Sequence, residues 1–183
     1  MKKKAIFLDR DGTINPDPGY IDSPEKFRIY PAARIGLKLL YQNNYLLFVV
    51  SNQSGLGRGY FPEESLKAIH EKLEDELLES GVRLAEIVYC PHHPEDGCHC
   101  RKPSPYLVME LAERYKIDLA GSYFIGDKVS DVVTGINSGC SSVLLASPEQ
   151  LPGLKEMKDW ADPDYIAKDL HQAARWITEA RRI

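Results

Sequence analysis

Fourteen residues, Cys90 to Pro103, hold three cysteines, three histidines and the adjacent cations Arg101 and Lys102 in the phrase CPHHPEDGCHCRKP. Sulfur and imidazole donors at this density suit a metal ion, whereas an Arg-Lys pair suits an anion. A second centre is acidic. FLDRDGTIN sets Asp9 and Asp11 two residues apart, with Gly12 for a turn and Thr13 after it; IGDKVSD adds Asp127 and Asp131. Several carboxylates cannot share a small site at neutral pH without a cation, because close like charges disfavour ionisation. Hard oxygen donors in small number suit Mg²⁺, which keeps some waters and is usually bound along with a substrate phosphate. The expected Mg²⁺ ligands are Asp9, Asp127 and, through its backbone carbonyl, Asp11.

The sulfur-rich stretch reads differently. Cys90-x-His92 and Cys98-x-Cys100 form two pairs joined by a five-residue loop, enough to close a tetrahedral zinc shell with three thiolates and one imidazole. A full protein shell leaves no open position for water or substrate, so this zinc is expected to be structural. His93 and His99 compete with His92 on spacing alone. A disulfide or free thiols are the other readings; a Cys98–Cys100 bridge would be strained and a reducing compartment opposes the other bridges. Fixing Cys100 fixes Arg101 and Lys102 after it, so the zinc is expected to brace a phosphate grip. Cys140 stands apart and reads as a small buried hydrophobe.

These groups need a scaffold. AIFLD (5–9), YLLFVVSN (45–52), EIVYC (86–90), SYFIGD (122–127) and SVLLA (142–146) read as buried strands. Helix-period segments separate them. Residues 32–42 put Ile35, Leu39 and Leu40 on one face, and 62–79 open with Pro62 and keep Leu66, Ile69, Leu73 and Leu77 in phase. Helices are also expected over 104–115 and 129–138, and a strand and helix within 164–181. The Pro-rich stretches 16–24 and 148–153 read as surface loops. This alternation predicts an α/β fold, a Rossmann-like parallel sheet with helices on both faces, formed by 1–183 as a single domain with the zinc loop at 90–103. Ligands of such a sheet bind beyond the carboxyl ends of the strands. Asp9, Asp11, Ser51, Asn52, Lys102, Asp127 and Asp131 all fall there.

The net charge of −4 gives no general attraction to nucleic acid or acidic membranes, so basic residues must act locally. The apolar run after MKKK stops at Asp9, too short for a signal peptide, and no stretch reaches the roughly 18 apolar residues of a membrane span. The expectation is a soluble cytoplasmic monomer whose partner is a small phosphorylated substrate.

Together, LDRDGT, VVSN, the Lys102 loop and IGDKVSD resemble the four motifs of the haloacid dehalogenase-like phosphatases, over about residues 4–146. The resemblance implies that Asp9 attacks phosphorus and that Asp11 serves as general acid and then base, which calls for a raised pKa. It also implies that Ser51 donates a hydrogen bond to the phosphoryl group, that Lys102 neutralises its oxygens, and that Asp127 binds Mg²⁺ with Asp131 in support. FLDRDGTIN, SNQSGLGRG, YCPHHP, CRKP and IGDK narrow it to the branch of the heptose bisphosphate and histidinol-phosphate phosphatases, closer to the former. That implies removal of the C7 phosphate of D-glycero-D-manno-heptose 1,7-bisphosphate, in lipopolysaccharide or S-layer precursor synthesis, with histidinol phosphate as the alternative substrate. It further implies substrate contacts from Asp17, Pro18, Gly19 and Tyr20, from Ser51, Asn52, Gln53 and Ser54, and from Arg101, Lys102 and Lys128. Ser51 stands where relatives often have Thr, a change that keeps the hydroxyl. The loop between the zinc pairs is shorter than in some relatives. The spacings Asp11 to Ser51 and Ser51 to Lys102 leave no room for a cap domain, so short loops must select the substrate.

Two other classes compete. A phospho-acceptor regulatory domain also sets aspartates at strand ends, but needs neither the second aspartate of D-x-D nor zinc. A zinc-dependent nucleic-acid binder conflicts with the acidic balance. The glycines at 55, 57 and 59 lack the Lys-Ser/Thr ending of a P-loop.

Overall fold

The structure is a computed structural model and describes residues 2–180. Six strands, β1 (Ala5–Leu8), β2 (Leu46–Asn52), β3 (Glu86–Cys90), β4 (Tyr123–Gly126), β5 (Ser141–Leu145) and β6 (Tyr165–Ala167), form one sheet in the order β3-β2-β1-β4-β5-β6. All pairings are parallel. Among the described residues, seven α-helices accompany them: α1 (Pro31–Gln42), α2 (Ser54–Gly57), α3 (Glu63–Glu79), α4 (Tyr106–Tyr115), α5 (Val129–Ser138), α6 (Leu151–Lys155) and α7 (Leu170–Ala180). The sheet order reverses between β1 and β4. The carboxyl ends of these two strands therefore flank the crevice in which such sheets bind ligands.

Strand side chains alternate between two cores, as a sheet covered on both faces requires. Ile6 and Leu8 of β1 join Leu47, Val49, Ile125 and Val143 under α1, α3 and α7. Ala5 and Phe7 join Phe48, Val50 and Phe124 under α4. Phe7 stacks between Phe48 at 5.4 Å and Phe124 at 6.4 Å, ring centroid to centroid. Each buried ring of this kind contributes about 2–3 kcal/mol. Such packing makes the strand ends a rigid platform for the side chains that follow them.

Element bounds agree with the sequence reading to within two residues for most elements, with three differences. Helix α1 buries Ala33, Gly36, Leu37 and Leu40, whereas Ile35 is 53% exposed. The reason is α7: a Cβ on Gly36 would collide with the backbone of Leu170 and His171, so α1 turns its smallest residues toward α7. Helix α6 begins in the stretch 148–153 read as a loop, and its Leu151 and Leu154 pack against the cluster of Leu144 of β5 and Ala146 just after it. The short helix α2 begins two residues after β2, in the Gly-rich segment SGLG, for which the sequence predicted no helix. In contrast, Leu66, Ile69, Leu73 and Leu77 of α3 are all wholly buried, and Cys140 is a buried free thiol. Only a 3-10 turn, α1 and β2 separate Asp11 from Ser51, and only α2, α3, β3 and the cysteine-rich loop separate Ser51 from Lys102. Residue 181, the last of the stretch read as helix, lies outside the described residues.

Candidate active site

Asp9 directly follows β1 and Asp127 follows β4, so the switch point of the sheet brings them together. Carboxylate oxygens of Asp9, Asp127 and Asp131 lie within 4.8 Å of one another. Asp131 is fixed twice over. One oxygen accepts the backbone N–H of Lys128 at 3.0 Å, closing the first turn of α5, and the other lies 2.6 Å from Lys102 Nζ. Lys102 also reaches Asp9 Oδ1 at 2.8 Å. Burial alone would lower the Lys102 ammonium, but Asp131 and Asp9 outweigh it and hold the lysine protonated.

Asp127 has no such partner. Its Oδ1 is buried without a hydrogen bond. Burial, then the charges of Asp9 and Asp131, push its carboxyl up to about 7 against the pull of Lys128. One lysine thus serves two of three clustered carboxylates and leaves the third uncompensated, as a site for a hard divalent cation requires. The backbone leaves room for that carboxylate. Gly12 has φ +85°, and a Cβ there would run into Asp127. Gly126 likewise has no space for a Cβ beside Asp131.

The Asp11 side chain stands apart from this cluster. Arg10 donates from Nε and Nη2 to its Oδ1 at 3.1 and 2.9 Å, and from Nη2 to its Oδ2 at 2.8 Å. Asn15 and Gln53 donate to it at 2.8 and 3.0 Å. Burial pushes the Asp11 carboxyl up, but the Arg10 charge and these hydrogen bonds outweigh burial and hold it below the usual range. The raised value expected of a resting general acid is therefore not found. The sequence hides this because no local pattern marks Arg10 as a buried counter-ion. An arginine between two acids at the end of a buried strand is the only trace.

Ser51 is buried at the end of β2, and its Oγ accepts a hydrogen bond from Gln53 Nε2 at 2.7 Å. The residues that follow it line a cleft of about 330 Å³, to which Ser51 itself does not contribute. Its lining includes Asp17, Gly19 and Tyr20, Asn52, Gln53 and Ser54, and Arg101, Lys102 and Lys128. Pro18 is exposed and does not line the cleft. Lys128 Nζ meets Asp17 at 2.8 Å across it. Arg101 Nη1 is buried without a partner. The amide of Asn52, read as a substrate contact, is engaged by the backbone of Lys102.

In the cysteine-rich loop, Cys90 Sγ lies 3.5 Å from Cys98 Sγ and from His92 Nδ1. Cys100 Sγ lies 3.3 Å from His92 Nδ1 and 3.8 Å from Cys98 Sγ. Tetrahedral zinc, with Zn–S about 2.3 Å and Zn–N about 2.0–2.1 Å, implies about 3.8 Å between sulfurs and about 3.5 Å from sulfur to nitrogen. The four donors are spaced for that ion, and the cysteines are free thiols. His93 is engaged locally, its Nδ1 accepting the Glu95 N–H, and His99 packs edge-on against Tyr106. Close packing seats this loop on α2: a Cβ on Gly57 would strike the backbone of His92 and His93.

Comparison with known proteins agrees with this geometry. A family model described as HAD-hydrolase-like matches residues 99–173. The chain is 40% identical over 167 residues to D-glycero-beta-D-manno-heptose-1,7-bisphosphate 7-phosphatase of Helicobacter pylori, covering 86% of this chain and 96% of that one. It is 44% identical over 125 residues to the probable D-glycero-D-manno-heptose-1,7-bisphosphate 7-phosphatase of Thermoplasma volcanium, covering 68% and 86%. The crystal structure of D,D-heptose 1,7-bisphosphate phosphatase from B. bronchiseptica, complexed with magnesium and phosphate, superposes with a TM-score of 0.88 at 33% identity, covering 97% of this chain and 99% of that one. The chain belongs to the haloacid dehalogenase-like phosphatases, in the branch of the heptose bisphosphate 7-phosphatases.

Proposed function

We propose that the chain, acting as one unit over 1–183, removes the C7 phosphate of D-glycero-D-manno-heptose 1,7-bisphosphate, with Asp9 as the nucleophile. The observation that carries this reading is the charge imbalance at the strand ends: Lys102 serves Asp9 and Asp131 while Asp127 stands beside them uncompensated. Asp9, Asp127 and the Asp11 carbonyl are the proposed Mg²⁺ ligands, with Asp131 orienting Lys102. When bound, Mg²⁺ supplies positive charge that offsets the repulsion between the Asp9 carboxylate and a phosphate dianion.

Asp9 takes the phosphoryl group as an acyl phosphate, which splits one slow displacement into two easier ones. Lys102 draws charge from the phosphoryl oxygens. Ser51 Oγ already accepts from Gln53, so its own proton is free to donate to the same oxygens. Asp11 is ionised in the resting site, so its acid form must arise with substrate. A phosphate dianion beside it adds negative charge and favours protonation. Asp11 then protonates the leaving oxygen and, ionised again, takes a proton from the water that cleaves the acyl phosphate.

Arg101 and Lys128 face the cleft as a second anion grip, which favours a bisphosphate over a monophosphate. The relatives bear the heptose name, which favours that sugar over histidinol phosphate. Zinc at Cys90, His92, Cys98 and Cys100 braces the loop that carries Arg101 and Lys102. The test is a panel of steady-state rates on heptose 1,7-bisphosphate in both anomers, its monophosphates and histidinol phosphate. The bisphosphate is expected to have the highest kcat/KM; a higher value for histidinol phosphate would contradict the assignment.

A further inference from the structure

Behind Asp11 runs a polar chain that ends far away in sequence. Arg10 is 1% exposed and is the largest of the wholly buried side chains. Its Nε and Nη2 face Asp11, while Nη1 points the other way and lies 3.2 Å from His70 Nε2 on α3. A guanidinium has donors only and keeps its charge when buried, so Nη1 needs a lone pair. His70 supplies it, which fixes the imidazole as neutral with its proton on Nδ1. Burial and then the Arg10 charge hold the His70 pKa down to about 3, so the acceptor persists at ordinary pH. The ring rests 5.5 Å from that of Tyr89.

His70 is the one polar residue in the buried stripe of α3, beside Leu66, Ile69, Leu73 and Leu77. An apolar residue there would take away the acceptor on Arg10 Nη1. The guanidinium fork would then be free to rotate toward other oxygens, such as Gln53 Oε1, which already lies 3.4 Å from Nη2.

Resting on the role proposed above for Asp11, we infer that His70 is a positioning residue that, through Arg10, fixes the Asp11 carboxylate in the orientation required for proton transfer. It does not line the cleft. Its effect belongs in kcat, because a displacement of about 1 Å in a reacting group can cost ~10²-fold in rate.

The test measures kcat, KM, zinc content and thermal stability for His70→Leu, His70→Gln and Arg10→Lys, with Asp11→Asn as reference, on the best substrate of the panel. His70→Leu is expected to lower kcat by roughly ten- to a hundredfold with KM within about twofold. His70→Gln, whose Oε1 can accept from Nη1, should recover most of that loss. A residue serving stability alone would lower the melting temperature and leave kcat unchanged. Wild-type kcat in folded His70→Leu would overturn the inference, as would equal losses in the Leu and Gln variants. Should His70→Leu not fold, Arg10→Lys decides: it keeps the charge, loses the fork, and is expected to lower kcat similarly, with full kcat overturning the inference. Full turnover in Asp11→Asn would refute the reading of Asp11 itself. An inactive Asp11→Asn beside an unaffected His70→Leu would refute only the role of His70.

Discussion

Asn52 holds Lys102 by its backbone from both sides: Asn52 Oδ1 accepts the Lys102 N–H at 3.0 Å, and Asn52 Nδ2 donates to the Lys102 carbonyl at 3.2 Å. The end of β2 thus fixes a residue of the cysteine-rich loop fifty positions later, and with it the ammonium beside Asp9. Asn52→Ala is expected to lower kcat by roughly ten- to a hundredfold while the zinc content stays at one per chain. Steady-state kinetics with metal analysis checks this; unchanged kcat would show that the loop needs no clamp.

Gly12→Ala tests the room around Asp127. The turn requires φ +85° and has no space for a Cβ beside that carboxylate. Strain at such a position costs about 1–3 kcal/mol, and displacement of Asp127 should weaken Mg²⁺ binding as well. Calorimetric Mg²⁺ titration of the folded variant is expected to give a lower affinity than wild type. An unchanged affinity would separate Gly12 from the cation site.

The four-donor cluster predicts a coupled loss. Burial pushes the Cys90 thiol up to about 12, so a thiolate there depends on a cation. Cys98→Ser should lose zinc and lower the melting temperature by at least about 5 °C, which is roughly 2 kcal/mol for a chain of this size. Activity should fall with it as the Arg101-Lys102 segment loosens. Full activity in zinc-free protein would contradict the brace.

Asp127 sets a pH dependence with a definite sign. Its carboxyl is raised from 3.8 to about 7, so the folded state holds a proton that the unfolded state has released. Between those values the metal-free protein loses stability from this group as pH rises, by about 1.4 kcal/mol per unit at most. A cation that binds the ionised carboxylate cancels the loss. The gain in melting temperature on adding Mg²⁺ is therefore expected to be larger at pH 8 than at pH 5, as measured by thermal scans at fixed ionic strength. A gain independent of pH would place the ion elsewhere.

Strand-end chemistry was legible because it rests on local pattern. Apolar runs ending in Asp9, Ser51 and Asp127 mark both the strands and the site, and the x-spaced cysteines mark the second cluster. What stayed hidden depends on pairing across the fold. Ile35 looks like a core residue until α7 packs against Gly36, a contact that no local window contains. Arg10 looks like a turn residue until its burial forces Asp11 and His70 to serve it. The lowered pKa of Asp11 follows from that pairing, so the motif alone suggests the opposite shift. His70 did leave a trace: a histidine in register with Leu66, Leu73 and Leu77 interrupts an otherwise apolar stripe.

The central claim is that Asp9 takes the phosphoryl group before water does. It is tested most directly by the stereochemical course at phosphorus, using a substrate whose transferred phosphorothioate is isotopically chiral. Two in-line displacements, onto Asp9 and then onto water, invert twice and predict net retention. Net inversion would mean that water attacks the substrate in a single step, and would contradict the account.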